Sequence, residues 1–176
     1  MMPAIGWADQ TAASATFARD DGMGAGKMTL NEGLAVLNTA YFSSGQIDYD
    51  MKLTGYDDAG IIFYGRGDED GEFGCIRANP DCPAAADCVQ YAPVTHDRMS
   101  RNSYPNHQGP APISATGWNR VTLQVADGKM RVFFNHAAEP SIVVPQLLGL
   151  TSEGGLVSRG RRFSRTWSSN PMRGRT

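Results

Sequence analysis

The 176-residue sequence predicts an all-β protein, folded as a two-sheet antiparallel sandwich. Short segments alternate apolar and polar residues with a period of two, the signature of a strand with one buried face. About ten such segments follow one another, separated by turns rich in Gly, Pro, Asp and Asn, which is the rhythm of a sandwich or barrel. No stretch of helical length shows a 3.6-residue apolar period.

Taken in order, residues 1–20 hold Trp7 and Phe17 among small residues and give no periodic signal. Lys27 to Asn38 carries Met28, Leu30, Leu34 and Val36 around Asn31-Glu32-Gly33, which predicts a strand, a turn at the glycine and a second strand. Gln46 to Leu53 is the clearest strand. Ile47, Tyr49, Met51 and Leu53 point one way, and Gln46, Asp48, Asp50 and Lys52 the other. Gly55-Tyr56-Asp57-Asp58 turns into AGIIFYGR, an apolar run of strand length that predicts burial on both faces. GDEDG then turns the chain into the strand EFGCIRAN. Residues 79–87 make a Pro- and Ala-rich loop, and CVQYAPV is the next strand.

Thr95 to Thr116, with Pro105, Pro110 and Pro112, is a long loop, and long loops within domains are usually functional or mobile. Trp118 to Asn135 is a hairpin. Val121, Leu123 and Val125 alternate inward, Asp127-Gly128 fits a two-residue type I′ turn, and Met130, Val132 and Phe134 alternate back. In PSIVVPQLLGL, Pro145 favours an edge position or a loop. Glu153 to Val157 reads as a last turn and strand.

The length suits one domain, residues 1–168, followed by a basic tail at 169–176. Net charge is −2, unevenly spread. Six arginines (Arg159, Arg161, Arg162, Arg165, Arg173, Arg175) and no acid follow Ser158, leaving 10 basic residues against 18 acids before it. The basic end reads as a solvated tail, so no nucleic-acid partner is expected. No apolar run approaches the roughly 18 residues of a membrane helix, which predicts a soluble domain with no membrane span. The spacing of Cys75, Cys82 and Cys88 matches no zinc motif. A Cys82–Cys88 disulfide, a Cys75–Cys88 disulfide and three reduced thiols are all compatible with it. The opening Met1-Met2-Pro3 has neither a charged nor an apolar leader region, which leaves open whether a signal peptide has been removed.

The order YFSSGQIDYDMKL, GIIFYGR, CIRAN, CVQYAPV, GWNRVTLQVADGKMRVFFN, PSIVVPQL and EGGLVSRG resembles the concanavalin A-like lectin/glucanase superfamily. Within it, the pattern is most similar to a laminin-G-like bacterial group related to proposed 3-keto-glycoside hydrolases. The resemblance covers about residues 28–167. It implies a jelly-roll sandwich, a carbohydrate as the usual ligand and an exported, periplasmic or secreted, protein. Arg66 matches the group's arginine after the G-[IV]-x-F strand, and Arg77 its strand arginine. Gln90, Tyr91 and Pro93 match its Q-Y-x-P segment, and Trp118 the tryptophan opening the penultimate hairpin. Two departures stand out. Cys75 replaces an aromatic residue, and MSRNSYPNHQG stands where relatives carry a tryptophan.

These matches suggest a saccharide held on a concave face by Arg66, Arg77 and Gln90, whose guanidinium and amide groups offer fixed donors to sugar hydroxyls or a carboxylate. Tyr91 or Tyr104 would stack on the ring, and His96 lies close by in sequence. The competing reading pairs the arginines with Glu72, Asp87 or Asp48 and puts Tyr91 in the core. A glycoside hydrolase or lyase would instead need a carboxylate such as Glu72 or Asp87 working with His96. The glucanase branch carries alternating acids on one strand, but Gln46, Asp48 and Asp50 place a glutamine where a carboxylate nucleophile would stand. A third reading is a structural or protein-interaction domain, its concave face filled by side chains or by the 95–116 loop. His96, His107 and His136 have no Ser or Cys partner at triad spacing. The acids of GDEDGE and Asp57-Asp58 could hold calcium, although they miss the EF-hand register, so no metal or other cofactor is expected.

Overall fold

The computed structural model of the chain describes residues 7–9, 15–19, 26–53, 58–66, 70–77, 81–96, 98–99, 103–114 and 116–167. Thirteen strands lie within them. The first five are β1 (Trp7–Asp9), β2 (Ala15–Arg19), β3 (Gly26–Phe42), β4 (Gly45–Leu53) and β5 (Asp58–Arg66). Then come β6 (Asp70–Arg77), β7 (Val89–Thr95), β8 (Arg98–Met99) and β9 (Gln108–Gly109). The last four are β10 (Trp118–Ala126), β11 (Lys129–Phe134), β12 (Ile142–Val144) and β13 (Gly154–Trp167).

All the pairings are antiparallel, and β13 is the strand both sheets share. Its Phe163–Thr166 half pairs with β4, and its Gly155–Gly160 half pairs with β5. On its other side β3 runs along nearly its whole length. One sheet therefore runs β12-β11-β10-β4-β13 and the other β13-β5-β6-β7-β8, giving a two-sheet jelly-roll sandwich.

This ladder corrects two expectations. No turn forms at Gly33, because the glycine sits opposite Gly160 in unbroken pairing, so one 17-residue strand replaces the predicted strand pair. The arginines from 159 to 165 belong to β13 rather than to a tail. Arg173 and Arg175 lie outside the described residues, as do the tail from 168 and most of the GDEDG and Gly55–Asp57 turns, where the calcium reading fell. Two strands, β1 and β2, also arise in the silent N-terminal region, each pairing with β3.

The main core lies between the sheets. Ile47, Tyr49 and Met51 of β4, Val121, Leu123 and Val125 of β10, and Met130, Val132 and Phe134 of β11 face Ala59, Ile61 and Phe63 of β5, Ile76 of β6 and Tyr91 of β7. This is the alternation read from the sequence. The opposite face of β5-β6-β7 is also buried, by Leu34, Ile62, Phe73, Cys75, Val94 and Val157, which explains the unbroken apolar run in β5. The outer face of β4 and β10 is a polar ladder. Arg120 bonds Asp50 at 3.0 Å, Thr122 donates to Asp48 at 2.6 Å, and Gln124 donates to Gln46 at 3.3 Å. Partly exposed pairs of this kind each stabilise by about 1 kcal/mol. Cys82 and Cys88 form the disulfide, and Cys75 is buried outside it.

Candidate functional site

The residues picked from the sequence do not share a surface. The register sets Asp58 opposite Arg77 and Arg66 opposite Asp70, so the two arginines stand at opposite ends of the β5-β6 pair, roughly 25 Å apart along the strands. Arg77 is committed to Asp87 at 2.6 Å, as the competing reading had it. Gln90 lies opposite Cys75 on the face filled by the second apolar cluster and is itself buried. Tyr91 points the other way, into the core, and is 0% exposed, so it offers no ring to a ligand. His96 is exposed, and its backbone N–H donates to Asp70 Oδ1 at 3.1 Å. Tyr104 stacks on His107 at 5.9 Å between ring centres. The filled face and the inward turn of Tyr91 remove the predicted groove around Arg77 and Gln90.

Arg66, at the exposed end of β5, lies near Tyr41 and Glu153. Tyr41 of β3 stands opposite Gly155 of β13, which stands opposite Gly65 of β5. The two glycines leave low ground beside a tyrosine that is 70% exposed. The Tyr41 hydroxyl hydrogen-bonds the Glu153 carboxylate, which raises its pKa, while the Arg66 guanidinium pulls it the other way. An exposed aromatic ring, an arginine and a carboxylate thus gather at one end of the sandwich.

A pocket of about 430 Å³ adjoins them in sequence. Its lining combines hydroxyl side chains (Ser43, Thr151, Ser152), apolar ones (Leu147, Leu150) and the carboxyls of Asp127 and Glu72. Asp127 sits in the β10-β11 turn, where it and Gly128 both have positive φ, 52° and 67°, as a type I′ turn requires.

The segment 147–152 is pinned to the sandwich at four points. Leu147 N–H donates to Gly128 O at 2.7 Å, Leu148 N–H to the Tyr91 hydroxyl at 2.7 Å, Gly149 N–H to Glu72 Oε1 at 2.8 Å, and the Thr151 hydroxyl to Tyr64 O at 2.8 Å. Tyr64 sits at the β5 bulge with φ of 58°, a conformation that costs a non-glycine residue about 1–3 kcal/mol. Its hydroxyl donates to Ser43 O at 2.5 Å, so both ends of the residue are fastened at the pocket.

Glu72 forms the pocket floor but is 0% exposed, with both oxygens engaged. Burial raises its pKa, against the lowering effect of the Tyr91 and Gly149 hydrogen bonds. Burial likewise raises Tyr91 and Tyr64, with the Glu72 charge adding to both. Among the described residues no group of three His, Cys, Asp or Glu side chains converges as a metal site would.

No protein-family model and no curated protein sequence matches the chain. Solved structures do resemble it. The carbohydrate binding module CBM66 from Bacillus subtilis superposes with a TM-score of 0.68 at 14% identity, covering 96% of each chain. A Bacillus subtilis protein of unknown function with a galectin-like fold gives 0.55 at 12% identity, over 91% of this chain and 86% of the other. The β-glucanase of Bacillus licheniformis gives 0.55 at 8% identity, over 91% and 88%. The fold is the concanavalin A-like jelly roll. That agrees with the resemblance read from the strand order.

The sequence reading missed Tyr41, Glu153 and the 147–152 segment. Tyr41 lies in the quoted YFSSGQIDY stretch, but an exposed tyrosine and a core tyrosine look alike until the register is known. Only the Gly154-Gly155 pair hinted that β13 presents bare backbone there.

Proposed function

We propose that this chain is a carbohydrate-binding β-sandwich domain, holding a saccharide at the end where Tyr41, Arg66 and the 147–152 pocket meet. The pocket carries the reading, because the hydroxyls of Ser43, Thr151 and Ser152 and the acid Asp127, interleaved with leucine, match the mixed hydroxyl and C–H surface of a sugar, in a volume within the usual range for ligand sites. The exposed Tyr41 ring provides a stacking platform beside it, and Arg66 and Glu153 provide a donor and an acceptor. The full-length likeness to a carbohydrate binding module supports the same ligand class. The Cys82–Cys88 disulfide supports an oxidising compartment, hence an exported protein.

One observation favours a glycoside hydrolase of the same fold, namely that Glu72 and Asp127 line one pocket. Binding remains the conclusion, because Glu72 has no exposed surface and both its oxygens are taken.

A thermal-shift screen against neutral and acidic oligosaccharides, with and without calcium, tests the proposal. A ligand at about 100 times its Kd adds roughly 2.7 kcal/mol, raising the midpoint by about 5–10 °C for a domain of this size. Product analysis on any hit separates binding from hydrolysis. A flat panel counts against the saccharide and favours an interaction domain.

A further inference from the structure

The groups around the pocket differ in what they have left for a ligand. Three successive backbone amides of the 147–152 segment, those of Leu147, Leu148 and Gly149, are already engaged by Gly128 O, the Tyr91 hydroxyl and Glu72 Oε1. The Tyr64 hydroxyl donates to Ser43 O. The Thr151 hydroxyl donates to Tyr64 O, which leaves the Thr151 oxygen to accept. Among the described residues the lining holds two acids, Glu72 and Asp127, and no Lys or Arg. Glu72 has no exposed surface and both its oxygens are engaged, so Asp127 is the carboxylate a ligand meets. Lys129, close by in the chain, is exposed and alternates with the buried Met130, so it points out of the sandwich. Arg66 lies outside the lining, beside Tyr41 and the acid Glu153, which offsets it. The pocket is therefore rich in acceptors, short of donors and negative.

We infer that the pocket prefers an amino sugar, its protonated amine set against the Asp127 carboxylate, and rejects uronic acids. The inference rests on the saccharide reading and names the class of sugar within it. An ammonium brings positive charge and several donors to a site that has acceptors to spare, and its hydrogen bond to a carboxylate is stronger than one between neutral groups. A uronate brings a second negative charge beside Asp127 and finds hydroxyls, but no cation, in the lining. A neutral sugar falls between the two. Asp127 is held firmly for this role. It and Gly128 form the β10-β11 turn with positive φ, and the Leu147 N–H bonds Gly128 O at 2.7 Å, so the turn that carries the carboxylate is tied to the opposite wall.

Calorimetric titration at about pH 6, where an amine is charged and an aspartate ionised, tests this. The probes are glucosamine oligomers, their N-acetylated forms and galacturonic acid oligomers of the same length. The parent should bind the amino form about tenfold or more tighter than the N-acetylated form, with the uronate weakest. Asp127→Asn removes the charge and keeps the turn, because Asn-Gly suits a type I′ hairpin as well as Asp-Gly does. It should bring the amino and N-acetylated forms to equal affinity with the thermal midpoint of the free protein unchanged. Tightest binding by the uronate would overturn the proposal, and so would an amino preference that survives in Asp127→Asn. If none of the three probes binds while another saccharide does, the amine preference falls and the carbohydrate reading stands. If no saccharide binds at all, both fall.

Discussion

The Tyr91 hydroxyl donates a 2.6 Å hydrogen bond to Glu72 Oε2 and accepts one from Leu148 N–H. A single core phenol thus links the β6-β7 pair to the segment entering β13. Two consequences concern stability.

Tyr91→Phe leaves Glu72 Oε2 and the Leu148 N–H without that partner while keeping the ring in place. The expected loss is about 1–3 kcal/mol, the cost of unsatisfied buried groups. Urea unfolding of the variant against the parent checks it, with the slope unchanged and only the midpoint lowered.

Burial raises the Glu72 pKa above the usual 4.5. A carboxyl whose folded pKa lies above its unfolded value binds its proton more tightly when folded. Its contribution is therefore fully present below about pH 4.5 and is lost as pH rises through the folded value. Unfolding free energy measured across that range should decline for the parent relative to Glu72→Gln. Parallel curves would contradict the assignment.

Gly60 tests the sheet packing. A Cβ there would lie 2.0 Å from the Gly74 carbonyl oxygen, a backbone atom that cannot move aside. Gly60→Ala should cost about 3 kcal/mol or more, read as a lowered thermal midpoint or loss of soluble folded protein. A near-neutral Gly60→Ala would mean that β5 and β6 pair differently.

Elements governed by local pattern were legible in the sequence. The β4 alternation, the doubly buried β5, the Asp127-Gly128 hairpin and the edge position of β12 each follow from a handful of neighbouring residues. What depended on distant partners was not. Gly33 looked like a turn because its partner Gly160 lies far along the chain, and the arginines from 159 to 165 looked like a tail because a strand rich in charge has no apolar alternation. The site failed for the same reason. Gln90 and Tyr91 are adjacent, so they point to opposite faces, and the second apolar cluster fills the face that Gln90 enters. Arg66 is exposed at the end of β5, opposite Asp70 and beyond the register shift that follows Phe63.

The most direct test of the ligand account is calorimetric titration of a panel hit into the parent, Tyr41→Ala and Arg77→Ala. Tyr41→Ala should weaken binding by about tenfold or more through loss of the stacking platform, with its folded-state spectrum unchanged, since the side chain is largely exposed. Arg77→Ala, far along the sheet and paired with Asp87, should bind as the parent does. Full affinity in Tyr41→Ala together with loss in Arg77→Ala would contradict this account and return the site to the opposite end of β6.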